Sequence, residues 1–122
     1  YKSDHTMDAQ IAYAVNQINA HEGKISISHL MNEVNLCQRH FERKFKLHTG
    51  FTPQKYNSIV RFKNAIKILR NESSDNLLSV AVKAGYYDAS HLSREVKKLS
   101  GSTPNFFLSL PPDNETTIIY TK

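Results

Sequence analysis

The stretch AGYYDASHLSREVKK, Ala84 to Lys98, decides how this chain is read. Gly85 has no Cβ and accepts a left-handed backbone, so the chain can reverse there. Tyr86 follows as an apolar anchor for the turn. Asp88 is a strong N-cap residue, so a helix starts after it. Leu92 and Val96 then stand four apart on one helical stripe, and Gly101 ends the pattern. Upstream, Asn76 caps a shorter helix whose Leu77, Val80, Ala81 and Ala84 share a face. Downstream, STPNFFLSL opens a last short helix at Pro104. The unit is a helix, a tight turn and a second helix.

The same order of signals occurs earlier in the chain. Ser26 caps a helix with Ile27, Leu30, Met31 and Val34 on one side. Asn35 tolerates the left-handed turn, Leu36 tucks inward, and a second helix starts near Cys37. Phe41 and Phe45 point inward and Gly50 stops the helix. Arg94 lies 51 residues after Arg43, and the same offset relates Lys97 to Lys46, Gly101 to Gly50, Pro104 to Pro53 and Asp88 to Cys37. Upstream of the turn the offset is one shorter, so the second turn has one extra residue. Two copies are too few for a solenoid, and the unit is bihelical.

Around these units the pattern is helical, and the fold class is all-α. TMDAQIAYAVNQINAHEG predicts a helix from about Thr6 to His21. Thr52 caps a long helix with Pro53 first, and Tyr56, Ile59, Val60, Phe62, Ala65, Ile66 and Leu69 give it a broad apolar face ending near Arg70 or Asn71. The organisation expected is an N-terminal helix of the first subdomain (1–24), a first helix-turn-helix (25–51), a linker helix (52–72), a second helix-turn-helix with the last helix (73–110) and a tail (111–122). The tail lacks a core pattern, although TTIIYT is β-prone.

The 122 residues suffice for one domain or two small ones. Lys and Arg number 16 against 11 acidic residues, for a net charge of +5, which favours a polyanionic partner. The single cysteine, Cys37, excludes an internal disulfide and fits a reducing, cytoplasmic setting. No apolar run approaches the ~20 residues of a membrane helix, and no signal peptide is visible. The chain begins at Tyr1, so a further domain is expected upstream. Cys37 and His40 have Cys-x-x-His spacing, but zinc needs about four ligands and no second pair is placed to help. No Gly-rich phosphate loop or acid/base pair is present either. No cofactor, no metal site and no enzymatic activity are expected.

With Phe41 and Phe45 inward, Arg39, Glu42, Arg43 and Lys46 form another stripe at i, i+3, i+4 and i+7. Its counterpart is Ser90, Ser93, Arg94 and Lys97, with Ala89 and His91 beside it. Arg bonds guanine O6 and N7, Glu accepts from cytosine N4, and Ser serves several edges. Lys46 and Lys97 suit phosphate. A single stripe of this kind is ordinarily a solvated face, with Glu42 neutralised by Arg39 or Arg43. Two equivalent stripes, each on the second helix of its unit, favour double-stranded DNA. A linker helix of roughly 18 residues spans about 27 Å. With the flanking units, that spacing suits two second helices on the order of 34 Å apart, in successive major grooves. Lys55, Lys63 and Lys67 on the linker helix could add phosphate contacts, although lysines so placed are ordinarily just solvated. The rival is a helical protein-interaction module without DNA binding, built on the linker's apolar face.

HLMNEVNLCQRHFERKFKLHTGFTPQKYNSIVRFKNAIKIL and LLSVAVKAGYYDASHLSREVKKLSGSTPNFF resemble the DNA-binding domain of AraC/XylS-family transcriptional regulators. The resemblance covers about Ile25 to Leu108 and is strongest at Ala81, Gly85, Tyr86, Ser90, Lys97, Gly101 and Pro104. It implies about seven helices, two helix-turn-helix subdomains joined by a long linker helix, and sequence-specific binding near promoters. It places base contacts on Arg39, Glu42, Arg43, Ala89, Ser90 and Arg94. Backbone contacts then fall to Gln38, Lys46, His91, Ser93 and Lys97. It also implies RNA polymerase as a partner and an upstream sensor or dimerisation domain. The chain departs from the family at Cys37, where a Ser cap is usual, at Leu92 and Val96, which replace aromatics, and at Leu108, where Arg is common. Ala89 and Ser90 offer few long donors, so the second unit reads bases weakly or contacts mainly backbone.

Overall fold

In the computed structural model, residues 8–71 and 76–108 are described, and they form seven helices and no strand. The helices are α1 (Ala9–Ala20), α2 (Ile27–Val34), α3 (Gln38–Thr49), α4 (Pro53–Asn71), α5 (Leu77–Ala84), α6 (Ala89–Ser100) and α7 (Pro104–Leu108). The expected first helix starts later than Thr6, because Asp8 is its N-cap and accepts from the Gln10 amide at 2.8 Å. Thr6 itself, residues 72–75 and residues 109–122, with the TTIIYT segment, lie outside the described residues.

The caps read from the sequence are formed. Ser26 accepts from His29 N at 3.2 Å, Thr52 from Lys55 N at 3.2 Å, Asn76 from Ser79 N at 2.8 Å and Asp88 from His91 N at 2.8 Å. Each of these bonds satisfies one of the amides that a helix start leaves without an internal partner. Both tight turns pass through the left-handed region, at Asn35 (φ 59°) and Gly85 (φ 91°). A hydroxyl clasp closes each second helix. Thr49 Oγ1 donates to Phe45 O at 2.8 Å and accepts from Phe51 N at 3.1 Å. Ser100 Oγ does the same to Val96 O at 2.7 Å and from Ser102 N at 3.1 Å.

The chain forms two compact units, 1–60 and 61–122, and the division falls inside α4. Ile11, Ala14, Ile18, Leu30, Val34, Phe41 and Phe45 make the first core, with Tyr56 and Val60 packed against it. Phe62, Ala65, Leu69, Val80, Ala84, Leu92, Val96 and Phe107 belong to the second. Apart from Val60, these sets correspond position by position. Phe62, Ala65 and Leu69 lie 51 residues after Ile11, Ala14 and Ile18, as Phe107 does after Tyr56. The repeat is therefore longer than the bihelical unit. The second half of α4 is the counterpart of α1, and its first turns are the counterpart of α7. One helix closes the first unit and opens the second.

The cores are filled differently. In the first, Phe41 and Phe45 meet edge to face at 5.7 Å, and Phe45 meets Tyr56 at 5.6 Å. In the second, Leu92 and Val96 are fully buried and smaller, and Leu99 is added where the first unit has the half-buried His48. Tyr86 is also buried, as its place in the turn implied. Polar ties supplement the first core. Gln10 Nε2 donates to Val34 O at 2.7 Å, and the buried Asn57 donates to Ile25 O at 3.2 Å. Lys44 Nζ lies 2.7 Å from Asp8 Oδ2.

Leu92→Ala empties part of the second core and lowers stability by ~2–5 kcal/mol, read as a shift in a urea melt. The bond from Lys44 holds the Asp8 carboxyl below its ordinary value of 3.8. A carboxyl with a lowered folded value stabilises the fold at pH above the unfolded value and loses that contribution as pH falls through the folded one. The stability difference between the native chain and Asp8→Asn, which retains a capping side chain, is constant above about pH 5 and shrinks below pH 3.8. Thermal melts across that range measure it.

Candidate nucleic-acid interface

In the first unit, burial of Phe41 and Phe45 turns the opposite side of α3 outward. Gln38, Arg39, Arg43 and Lys46 are exposed there and Glu42 is half-buried. With Thr52 they line an open groove of about 500 Å³. Glu42 is not neutralised by Arg39 or Arg43, as its spacing suggested. Its Oε2 instead accepts from Gln38 Nε2 at 3.3 Å and from Gln54 Nε2 at 3.4 Å. Two amides thus restrain the carboxylate and leave the guanidinium groups of Arg39 and Arg43 to solvent. Gln54 escaped the sequence reading. The Thr52 cap and Pro53 start put it in the first turn of α4, beside α3.

In the second unit, Leu92 and Val96 are buried and Ser90, Arg94 and Lys97 are exposed. Ala89, His91 and Ser93 are half-buried. A groove of about 630 Å³ runs past Leu77, Ser93, Arg94, Lys97, Lys98 and Pro104. It is the counterpart of the first groove, with Ser93 where Glu42 stands, and no acidic residue lines it. Lys97 Nζ folds back to donate to Gly101 O at 3.0 Å, at the helix end where a cation is favourable. The His91 ring packs edge-on against Tyr86 at 5.1 Å. The extra residue of the second turn is Tyr87, and it is 89% exposed beside the start of α6.

Glu95 does not share the outward stripe. Its carboxylate pairs with Arg61 of α4, Oε1 to Nε at 3.2 Å and Oε2 to Nη2 at 3.4 Å. The Arg61 guanidinium also lies 5.2 Å from the centre of the Tyr86 ring. Burial, reinforced by the Glu95 carboxylate, pushes the Tyr86 phenol far above its usual range, so it stays neutral. Neither partner of the pair was singled out from the sequence, because a contact across 34 residues leaves no local spacing signal.

Among the described residues, no three His, Cys, Asp or Glu side chains gather as metal ligands, and no helix is long and apolar enough to cross a membrane. Two helix-turn-helix units, each with a cationic stripe on its second helix, define a DNA-binding domain of the helix-turn-helix class. The helix-turn-helix domain family matches residues 30–109, and the chain belongs to that family, in its AraC/XylS-type branch. The HTH-type transcriptional activator RhaS of Escherichia fergusonii is 28% identical over 104 residues, which cover 84% of this chain and 37% of that protein. The chain thus spans little more than a third of this relative. Two solved structures share the fold. The C-terminal domain of AraT, a response regulator from Geobacillus stearothermophilus, superposes with a TM-score of 0.78 at 18% identity, covering 91% of this chain and 93% of that one. The DNA-binding domain of AdpA, a global transcriptional factor solved with a target DNA, gives 0.75 at 21% identity, covering 84% and 92%.

Cys37 is the N-cap of α3 and makes no side-chain capping bond, unlike Asp88 at the same position of the second unit. Cys37→Ser supplies an oxygen acceptor there and raises stability by about 0.5–2 kcal/mol, the range typical of N-cap exchanges. Paired denaturation curves of the two proteins check this.

Proposed function

We propose that the chain binds double-stranded DNA sequence-specifically as the C-terminal domain of a transcription regulator, with α3 and α6 entering successive major grooves. The observation that supports this reading best is the duplicated stripe. Arg43 and Lys46 recur as Arg94 and Lys97 at the same offset as the buried residues behind them, and all four are exposed. A solvated face has no reason to keep register with its own core twice.

In this reading Arg39, Glu42 and Arg43 of α3 meet base edges, and Ala89, Ser90 and Arg94 do so from α6. Gln38, Lys46, His91, Ser93 and Lys97 meet phosphates. Restraint of Glu42 by Gln38 and Gln54 gives α3 one fixed acceptor between two mobile donors, a set suited to discriminating a C·G from a G·C pair. The second groove has cations but no carboxylate, so α6 contributes more anchoring than reading. The RhaS relative is a transcriptional activator, and this chain covers about a third of it. An upstream sensor or dimerisation domain, contact with RNA polymerase, a cytoplasmic setting and the lack of catalytic activity complete the proposal.

Selection of bound sites from random duplexes tests it. The native chain enriches one motif, and its affinity falls steeply with salt. Arg43→Ala weakens binding by about 1–3 kcal/mol and relaxes preference at one base position. Lys46→Ala weakens all sequences alike and flattens the log–log salt slope by about one. Salt-insensitive binding, or a pool without an enriched motif, would overturn the reading in favour of a protein partner.

A further inference from the structure

We infer that Arg61, on α4, is a positioning residue for base recognition by α6: through Glu95 it fixes the roll of that helix and so selects which base edges Ser90 and Arg94 meet. The inference rests on the DNA reading above. Arg61 lies outside the proposed contact stripe.

Glu95 directly follows Arg94, so anything that holds Glu95 sets the angle at which Arg94 leaves the helix. At the ~5–6 Å radius of a helix with its side chains, a roll of about 10° moves a side-chain tip by roughly 1 Å. Recognition geometry has to be held to about 0.5 Å. The apolar contacts of α6 are made by Leu92, Val96 and Leu99, which lack the edge-to-face ring geometry of Phe41 and Phe45 in α3. The Arg61–Glu95 pair adds a directional tie to them. Its two near-parallel bonds, at 3.2 and 3.4 Å, fix the plane of the carboxylate as well as its distance. Arg61 also stacks on Tyr86, in the turn that delivers α6, so one side chain holds both the turn and the helix.

The first unit holds α3 at the corresponding positions. Lys44 and Gln10 stand 51 residues before Glu95 and Arg61, and Lys44 Nζ lies 3.4 Å from Gln10 Oε1 and 2.7 Å from Asp8 Oδ2. There the cation is on the second helix; in the second unit it is on α4. The two units share the tie and not the residue types. The Arg61 and Glu95 side chains are only 16% and 14% exposed. A pair so buried is a poor source of net stability compared with apolar packing, and its better-attested use is to specify one arrangement.

The test uses Glu95→Gln, which preserves volume, Arg61→Gln, and the exchange Arg61→Glu with Glu95→Arg, all in the 122-residue chain. Random-duplex selection, salt titration and circular dichroism are run on each. Both single variants lose about tenfold in base discrimination within the half-site read by α6, the size of a typical coupling between contacting residues. They retain the preferences of the other half-site and their helical signal, and the exchange restores discrimination. The single changes shift net charge in opposite directions, so a common loss does not come from charge alone. Unchanged discrimination in the α6 half-site overturns the inference. So does loss in both half-sites together with helical signal, which marks a merely structural pair. A native chain that enriches no motif sinks the DNA reading itself, and the inference with it.

Discussion

Burial of two side chains four residues apart on the second helix of each unit is the constraint on which the rest depends. Phe41 and Phe45 in α3, and Leu92 and Val96 in α6, are fully excluded from solvent. A helix pinned at i and i+4 cannot present that side to anything else, so the residues about half a turn away must face water. Arg39, Arg43 and Lys46, or Ser90, Arg94 and Lys97, are outward because of what lies behind them. The tight turn sets where each helix begins, and burial sets which way it faces.

Local signals were readable because each is stated by one residue type at one place. Ser26, Asn76 and Asp88 cap helices since their oxygens accept a nearby amide, and Asn35 and Gly85 turn since they accept positive φ. The duplication of α1 within α4 was not readable in the same way. The apolar period runs through α4 without a break, so nothing local marks where one core ends and the other begins. Only the placement of Ile11, Ala14 and Ile18 in one core, and of Phe62, Ala65 and Leu69 in the other, separates its halves. The partners of Glu42 were not readable for a related reason. Spacing within α3 offers Arg39 and Arg43, while one of the actual partners, Gln54, comes from the next helix.

The two units agree and differ at distinguishable kinds of position. They agree where the backbone has no alternative: left-handed turns, left-handed stops at Gly50 and Gly101, and proline at the first helical position of α4 and α7. At both stops a Cβ would meet open space, so the glycines answer to positive φ alone. In the cores the units agree in place but not in residue. Phe41 becomes Leu92, and the lost volume is met by Leu99 and Tyr86, since a core tolerates exchanged shapes if its total volume is filled.

On the outer surface the copies agree least. Glu42 is replaced by Ser93, Arg39 by Ser90, and the exposed polar pair Ser28 and Asn32 of α2 by Leu78 and Val82 of α5. A duplicated scaffold makes such comparison a control on itself, because both copies meet the same steric demands in the same chain. The left-handed stops and the leading prolines hold their residue types, the left-handed turn holds its conformation with Asn35 exchanged for Gly85, and most outer positions have diverged. The exposed stripes retain only Arg43 with Arg94 and Lys46 with Lys97 in kind. In the proposed DNA reading, the arginine of each pair goes to a base edge and the lysine to a phosphate, and the residues around them are where two non-identical half-sites would be told apart.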